Sequence, residues 1–310
     1  MKKNKKIILA LLCCGSLSFG ITPITAFSAE KADNQSIENQ SAVIDDIQYY
    51  MNSLAYRYYA ERLAGTKAGG GYTLDREPEK FSGSIDKFVL DENKITPHLS
   101  LSDIEPLFIG ENTFENNTDL EQVFNTAVFE HTVTETMDTS TTKGFHYGAD
   151  VVFNIPLLID GIKLLGNFNS SDPGSVSTSK TKKLTAAAQP VKVPPHKTYR
   201  AEVMLMRSEY GGTVQYEALG INPWTQLNAN GYLIDVTGVP HVHNFQYHIK
   251  GIDAWSKISD DGKRPLNLNF EGENVRIKNE AKVSGIAGSR LDVRIWDEDT
   301  QTLVKTIELK

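Results

Sequence analysis

The chain has 310 residues, of which 32 are Lys or Arg and 39 Asp or Glu, giving a formal net charge of −7. That acidic balance argues against nucleic acid, and against simple electrostatic attraction to anionic lipid, as the basis of partner choice. Only two cysteines occur, which excludes a dense disulfide framework.

The first segment sets the compartment. Lys2, Lys3, Lys5 and Lys6 precede the apolar run Ile7 to Leu12, and Ala26-Phe27-Ser28 offers a small-x-small cleavage site, so residues 1–28 read as a secretory signal peptide. Cys13 and Cys14 both lie inside it. Four lysines and no acids leave with it, so 28 basic residues then face 39 acidic ones, a net charge of −11. No later stretch is long and apolar enough for a membrane-spanning helix, so any entry into a bilayer has to use β-structure.

Residues 29–40 are polar and without periodicity. From Ser41 to Ala64 the spacing of Val43, Ile47, Met51, Leu54, Tyr58 and Leu63 predicts a helix that Gly65 terminates. Five tyrosines, Tyr49, Tyr50, Tyr56, Tyr58 and Tyr59, crowd this helix. They cannot all point inward, and exposed tyrosines suit glycan or protein contacts. Gly69-Gly70-Gly71 follows as a joint, then a mixed stretch with Pro78, Pro97 and Pro106.

Beyond it β-signals dominate. Residues 112–143 are dense in Thr and predict one long strand or two collinear ones, and a second Ser/Thr-rich run spans residues 170–185. Further strands are predicted at 199–207, 213–219, 231–236, 242–249, 274–284 and 290–296, with turns at Asn230-Gly231 and Asp261-Gly262.

Between the two Ser/Thr-rich runs, residues 145–168 read as an amphipathic hairpin. Its first run places Phe145, Tyr147, Ala149, Val151, Phe153 and Ile155 on one face and His146, Gly148, Asp150, Val152 and Asn154 on the other. The second sets Ile162, Leu164, Gly166 and Phe168 against Lys163, Leu165, Asn167 and Asn169. Pro156-Leu157-Leu158-Ile159-Asp160-Gly161 reads as an apolar connecting loop with Asp-Gly turn chemistry. The alternation by itself fits any antiparallel sheet with one buried face. A membrane-spanning strand needs about 9–11 residues, and each run is roughly that long. Two strands per chain close a barrel only if several copies join.

Taken in order, Phe124-Asn125-Thr126, Thr141-Thr142-Lys143-Gly144, Asn154-Ile155-Pro156, the Ser/Thr return strand, Val193-Pro194-Pro195, Val283-Ser284-Gly285 and Leu291-Asp292-Val293 form a recognisable series. It resembles the epsilon-toxin and mosquitocidal-toxin family of aerolysin-like β-pore-forming toxins, over roughly residues 110–300. The resemblance implies a mainly β, elongated architecture of long antiparallel strands with a small helical N-terminal part. It also implies secretion as a soluble monomer, binding to a surface receptor (protein or glycan), assembly into a homo-oligomer, and insertion of a β-barrel into the target-cell plasma membrane.

On that basis residues 29–110 are expected to hold the receptor-binding region, with Tyr49, Tyr50, Tyr56, Tyr58 and Tyr59 as candidate contacts. Residues 111–310 are expected to hold the pore-forming part. The lipid-facing set is Phe145, Tyr147, Ala149, Val151, Phe153, Ile155, Ile162, Leu164 and Phe168, with Leu157, Leu158 and Ile159 as the tip that crosses first. His146, Asp150, Asn154, Lys163 and Asn167 would line the lumen, where Asp150 and Lys163 bear on ion selectivity.

No catalytic signature appears: Gly-x-Ser-x-Gly and His-Glu-x-x-His are missing, and no cysteine follows residue 28. His241, His243 and His248 have no third ligand at compelling spacing, so no metal and no cofactor is expected. The rival reading is a secreted β-rich lectin or adhesin that never inserts.

Overall fold

The structure, a computed structural model, describes residues 42–77, 80–148 and 150–309. The signal-peptide reading of residues 1–28, the polar stretch 29–40 and the position Ala149 lie outside the described residues.

Chain order runs β1 (Val43–Asp46), α1 (Ile47–Tyr58), β2 (Thr73–Leu74), β3 (Lys80–Ser84), β4 (Lys87–Asn116), β5 (Gln122–Asn125), β6 (Phe129–His146), β7 (Val152–Ile159) and β8 (Ile162–Asn169). It continues through β9 (Ser175–Ala186), β10 (Pro190–Val193), β11 (Lys197–Ile221), β12 (Trp224–Ile234), β13 (Pro240–Lys250), α2 (Gly251–Lys257), α3 (Asp260–Lys263), β14 (Asn269–Glu271), β15 (Asn274–Asp297) and β16 (Thr302–Leu309). The molecule is mainly β, as expected, and its frame is three very long antiparallel strands in the order β15, β11, β4.

The strand β4 corrects the reading of the stretch around Pro97 and Pro106 as mixed, and it ends at Asn116 inside the run 112–143 expected to be one long strand or two collinear ones. Its 30 residues pair only with β11, so it is an edge strand, and prolines such as Pro97 that would break a central ladder are tolerated there. The runs 199–207 and 213–219 are one strand, β11, continuous through Gly211-Gly212. A Cβ on Gly212 would collide with the carbonyl of His98, which is why the close crossing needs glycine. The runs 274–284 and 290–296 likewise merge into β15.

At the N-terminal end, Val43 to Asp46 pair in parallel with Lys143 to His146 of β6 instead of forming the helix's first turn. Asp46 accounts for the boundary: its Oδ1 accepts a hydrogen bond from Tyr49 N at 2.8 Å and caps α1. The helix buries Ile47, Met51, Leu54, Ala55 and Tyr58, widens over Tyr59–Leu63, and is followed by Gly65 at φ +76°. It packs on a second, four-stranded sheet ordered β13-β12-β2 with β3 also on β12. Helix α1 and strands β2 and β3 therefore pack together with residues 224–250, while β4 runs unbroken through residues 110 and 111.

Two predicted turns are displaced. Asn230-Gly231 lies inside β12, where Gly231 makes room for the ring of Phe245 and the Cβ of Tyr72, and the chain reverses at Asp235 to Val239 instead. Asp261-Gly262 sits in the short helix α3, capped by Ser259 Oγ accepting from Gly262 N at 3.0 Å.

Candidate membrane-insertion hairpin

The Ser/Thr-rich strands β6 and β9 pair antiparallel from Phe129↔Ala186 to Ser140↔Ser175. The residues between them leave the main sheet, and β7 and β8 form a separate two-stranded sheet. Its register puts Phe153 opposite Phe168, Ile155 opposite Gly166, Leu157 opposite Leu164 and Ile159 opposite Ile162. One face is thus wholly apolar. The opposite face carries Val152, Asn154, Pro156 and Leu158 against Asn169, Asn167, Leu165 and Lys163.

The reversal is a two-residue turn in which both Asp160 (φ +43°) and Gly161 (φ +83°) take the left-handed conformation, as tight hairpins demand. Pro156 to Ile159 therefore belong to β7, which corrects the expected apolar loop. The tip is Asp160-Gly161. Leu157 and Ile159 join the apolar face, whereas Leu158 is 62% exposed on the other side, next to Lys163.

The upstream half of the expected first run is also different. Phe145 is fully buried at the end of β6, its ring 4.7 Å from that of Phe88. The Tyr147 ring lies 5.2 Å from Phe88, and its hydroxyl exchanges hydrogen bonds with the backbone of Ile85. Gly148, at φ +65°, breaks the alternation before β7 begins. Of the five expected lumen residues, Asn154, Lys163 and Asn167 share the outward, mixed face of the hairpin with the exposed Val152, Leu158 and Leu165. His146 ends β6, and Asp150 lies between strands, accepting from Ser171 Oγ at 3.2 Å.

Why the hairpin stays docked follows from what its apolar face meets. Phe153 and Phe168 flank the Tyr216 ring at 5.8 and 5.7 Å, and the same apolar cluster takes in Met137, Tyr210, Val283 and Ala287. Each such side chain contributes about 1.5–3 kcal/mol by leaving water. Gly166 is needed here because a Cβ would run into the Phe168 ring. Polar contacts fix the root. Thr139 Oγ1 donates to Asn167 O at 2.9 Å, Thr141 Oγ1 donates to Asn169 O, and Phe145 N donates to Ser170 O at 2.8 Å. Ser170 N reaches Val151 O at 2.8 Å, and Ser170 Oγ lies 3.0 Å from the Tyr216 hydroxyl.

Burial pushes the hydroxyls of Tyr210 and Tyr216 up to about 12, the Ser170 contact offsetting only part of the shift at Tyr216. Glu135, in the groove beside β8, is pushed up by burial but held below its ordinary value overall by Lys182 Nζ at 2.9 Å and Ser289 N at 2.9 Å. Tyr216 and Met137 carry no sequence signal as docking residues, and Thr139, Thr141 and Ser170 stand out only as members of the Ser/Thr-rich runs. The only signal available was the i, i+2 spacing of Thr139 and Thr141 within a Thr-rich run.

The tyrosine group divides. Tyr49 and Tyr56 are exposed and Tyr50 is partly so, whereas Tyr58 and Tyr59 are buried in the helix core and cannot contact a receptor. Among the described residues no cluster of three or more His, Cys, Asp or Glu is placed to hold a metal ion. His241 Nε2 instead meets Asp235 Oδ2 at 2.9 Å.

Comparison with known proteins places this geometry in context. A family model for Clostridium epsilon toxin ETX/Bacillus mosquitocidal toxin MTX2 matches residues 73–301. No curated protein matches the chain in sequence. Among solved structures, the Mpp75Aa1.1 beta-pore-forming protein from Brevibacillus laterosporus is similar at 17% identity and a TM-score of 0.57, over 85% of this chain and 94% of that one. The Cry23Aa1 and Cry37Aa1 binary protein complex matches at 18% identity and 0.47, over 86% and 95%. A non-toxic crystal protein from Bacillus thuringiensis matches at 12% and 0.48, over 82% and 98%.

Proposed function

We propose, from the premise that this chain belongs to the Clostridium epsilon toxin ETX/Bacillus mosquitocidal toxin MTX2 family, that it is a secreted pore-forming toxin of the aerolysin-like class. It binds a target-cell surface, assembles with further copies of itself, and inserts β7 and β8 from each copy into a shared barrel. No catalytic step is involved.

The observation that carries the proposal is the hairpin: a two-stranded sheet separate from the main one, with one face wholly apolar and docked on the body. Released into a bilayer, that face exchanges protein for lipid, and ring closure leaves no unpaired strand edge. Asn154, Lys163 and Asn167 then face water, and Asp160-Gly161 leads the way across. Residues 29–110 supply the receptor-binding region, with Tyr49 and Tyr56 as its exposed aromatic contacts, and residues 111–310 supply the pore-forming part.

Dye release tests the proposal. Target cells or vesicles made from their membranes should leak after addition of the protein, with SDS-resistant oligomers on the same membranes. Binding without leakage or oligomers would leave the lectin or adhesin reading.

A further inference from the structure

The ribbon of β12 and β13 ends in Tyr232-Leu233-Ile234-Asp235-Val236-Thr237-Gly238-Val239-Pro240-His241-Val242-His243, far in sequence from the insertion hairpin. Five aliphatic side chains project into water there: Leu233, Ile234 (69% exposed), Val236 (fully exposed), Val239 and Val242. Water-facing aliphatic groups in such a cluster are unfavourable unless something covers them.

The loop that carries them is well ordered by hydrogen bonds. Asp235 Oδ1 accepts from Thr237 N at 2.8 Å, Thr237 Oγ1 at 2.6 Å and Val239 N at 3.0 Å, while Asp235 Oδ2 meets His241 Nε2. The backbone closes through Asp235 N to Val239 O at 3.1 Å and Gly238 N to Asp235 O at 3.0 Å. The single carboxylate of the tip is thereby satisfied within the loop, and residues 232–243 contain no Lys or Arg.

Polarity is graded along the ribbon. Ile234, Val236 and Val239 lie outermost; behind them Leu233 pairs with His241 and Val242 with Tyr232, so aliphatic side chains interleave with a collar of Tyr232, His241, His243 and Tyr72, the last two 5.6 Å apart ring to ring. Behind the collar, Asn244 pairs with Asn230 and Gln246 with Asn228 across the strands. Aliphatic outermost, then aliphatic mixed with aromatic, then amide follows the order of polarity met on leaving the acyl region of a bilayer through its headgroups. Leu233 and Ile234 point to opposite sides of the ribbon, and both are exposed. A protein partner would have to enclose this projecting tip in a fitted pocket, whereas a lipid surface receives it with no matching shape.

We infer that the β12–β13 tip is a lipid-docking loop that dips its aliphatic side chains into the interfacial layer of a membrane, independently of the insertion hairpin. The inference deepens the membrane-acting reading above and rests on it for its biological setting. Without basic residues at the tip, docking does not require anionic lipid.

The test is flotation of the purified protein with phosphatidylcholine vesicles, with dye release recorded separately. The native protein should float, and Val236→Asp and Ile234→Asp should each lower vesicle-bound protein at least ten-fold. Val236 is fully exposed, so its replacement leaves thermal unfolding unchanged. A polarity-sensitive fluorophore on Val236→Cys should shift to the blue on vesicles, and 20% phosphatidylserine should change binding less than two-fold. Flotation with phosphatidylcholine vesicles together with no dye release from target cells or vesicles made from their membranes would sink the pore proposal and leave this one standing. No flotation of the native protein, equal flotation of the aspartate variants, or binding confined to anionic vesicles would overturn it. So would loss of cell binding by Val236→Asp in a protein that ignores pure lipid, because the tip would then address a surface protein.

Discussion

The hydroxyls of Ser170 and Tyr216 lie 3.0 Å apart in the core, joining the root of the β7–β8 hairpin to the long central strand β11. Ser170 is fully buried and Tyr216 nearly so, and the Tyr216 ring is held between Phe153 and Phe168. Tyr216→Phe keeps the ring and leaves Ser170 Oγ without this partner, at a cost of about 1–3 kcal/mol. Thermal unfolding should move down by about 2–4 °C per kcal/mol, and leakage should begin sooner after membrane binding. An unchanged melting temperature together with unchanged leakage kinetics would remove this pair from the docking contact.

Neighbouring leucines should behave in opposite ways. Leu157 lies on the apolar face and is buried, whereas Leu158 faces outward beside Lys163. Leu158→Asp should leave folding and leakage within about two-fold of the native protein. Leu157→Asp should abolish leakage, since a charge on the lipid face of a barrel is unfavourable at depth. Circular dichroism separates an insertion defect from a folding defect, and Leu157→Asn provides a milder variant if the aspartate does not fold. Equal loss in Leu157→Asp and Leu158→Asp would mean that the two faces are not distinguished in the membrane.

Lumen charge is tested at Lys163, which the register places on the outward face of β8. Lys163→Glu should shift the reversal potential of single pores toward cation selectivity. An unshifted potential would place residue 163 outside the lumen.

Acid should weaken the frame beside the hairpin. Burial alone would raise the Glu135 carboxyl, but Lys182 and Ser289 N outweigh it and hold it below its ordinary 4.5. A folded-state value lower than the unfolded one gives stability that is complete above about pH 4.5 and lost as pH falls through the lowered value. Melting temperature plotted against pH should therefore fall on acidification, less steeply in Glu135→Gln. Identical slopes in the two proteins would show that this carboxylate contributes nothing to acid sensitivity.

The alternation that pointed to the hairpin was legible because a period of two is a local property, and β7 and β8 keep it from Val152 to Asn169. Its end was harder to place. Pro156 suggested a loop, yet the strand passes through it, and the turn chemistry of Asp160-Gly161 alone set the reversal. Long-range facts were hidden for the same reason. Nothing near Tyr216 in sequence announces Phe153 or Ser170, and the partner that keeps Thr141 buried is the carbonyl of Asn169. The 30-residue length of β4 was masked by prolines whose position on an edge strand only the sheet order reveals. Five tyrosines at that spacing have to divide between core and water, but which of them face water depends on β3 and β12, which arrive from elsewhere in the chain.

The central claim is that Lys163 and Leu164, adjacent in β8, face opposite phases once the protein is in a membrane. Because both native cysteines precede residue 15, a fluorophore can be placed on Lys163→Cys or Leu164→Cys alone in protein lacking residues 1–28. On membranes that the protein permeabilises, a lipid-borne nitroxide should quench the probe at 164 and spare that at 163, while aqueous iodide should do the reverse. Equal response of both probes to both quenchers would contradict the hairpin as a barrel-lining element.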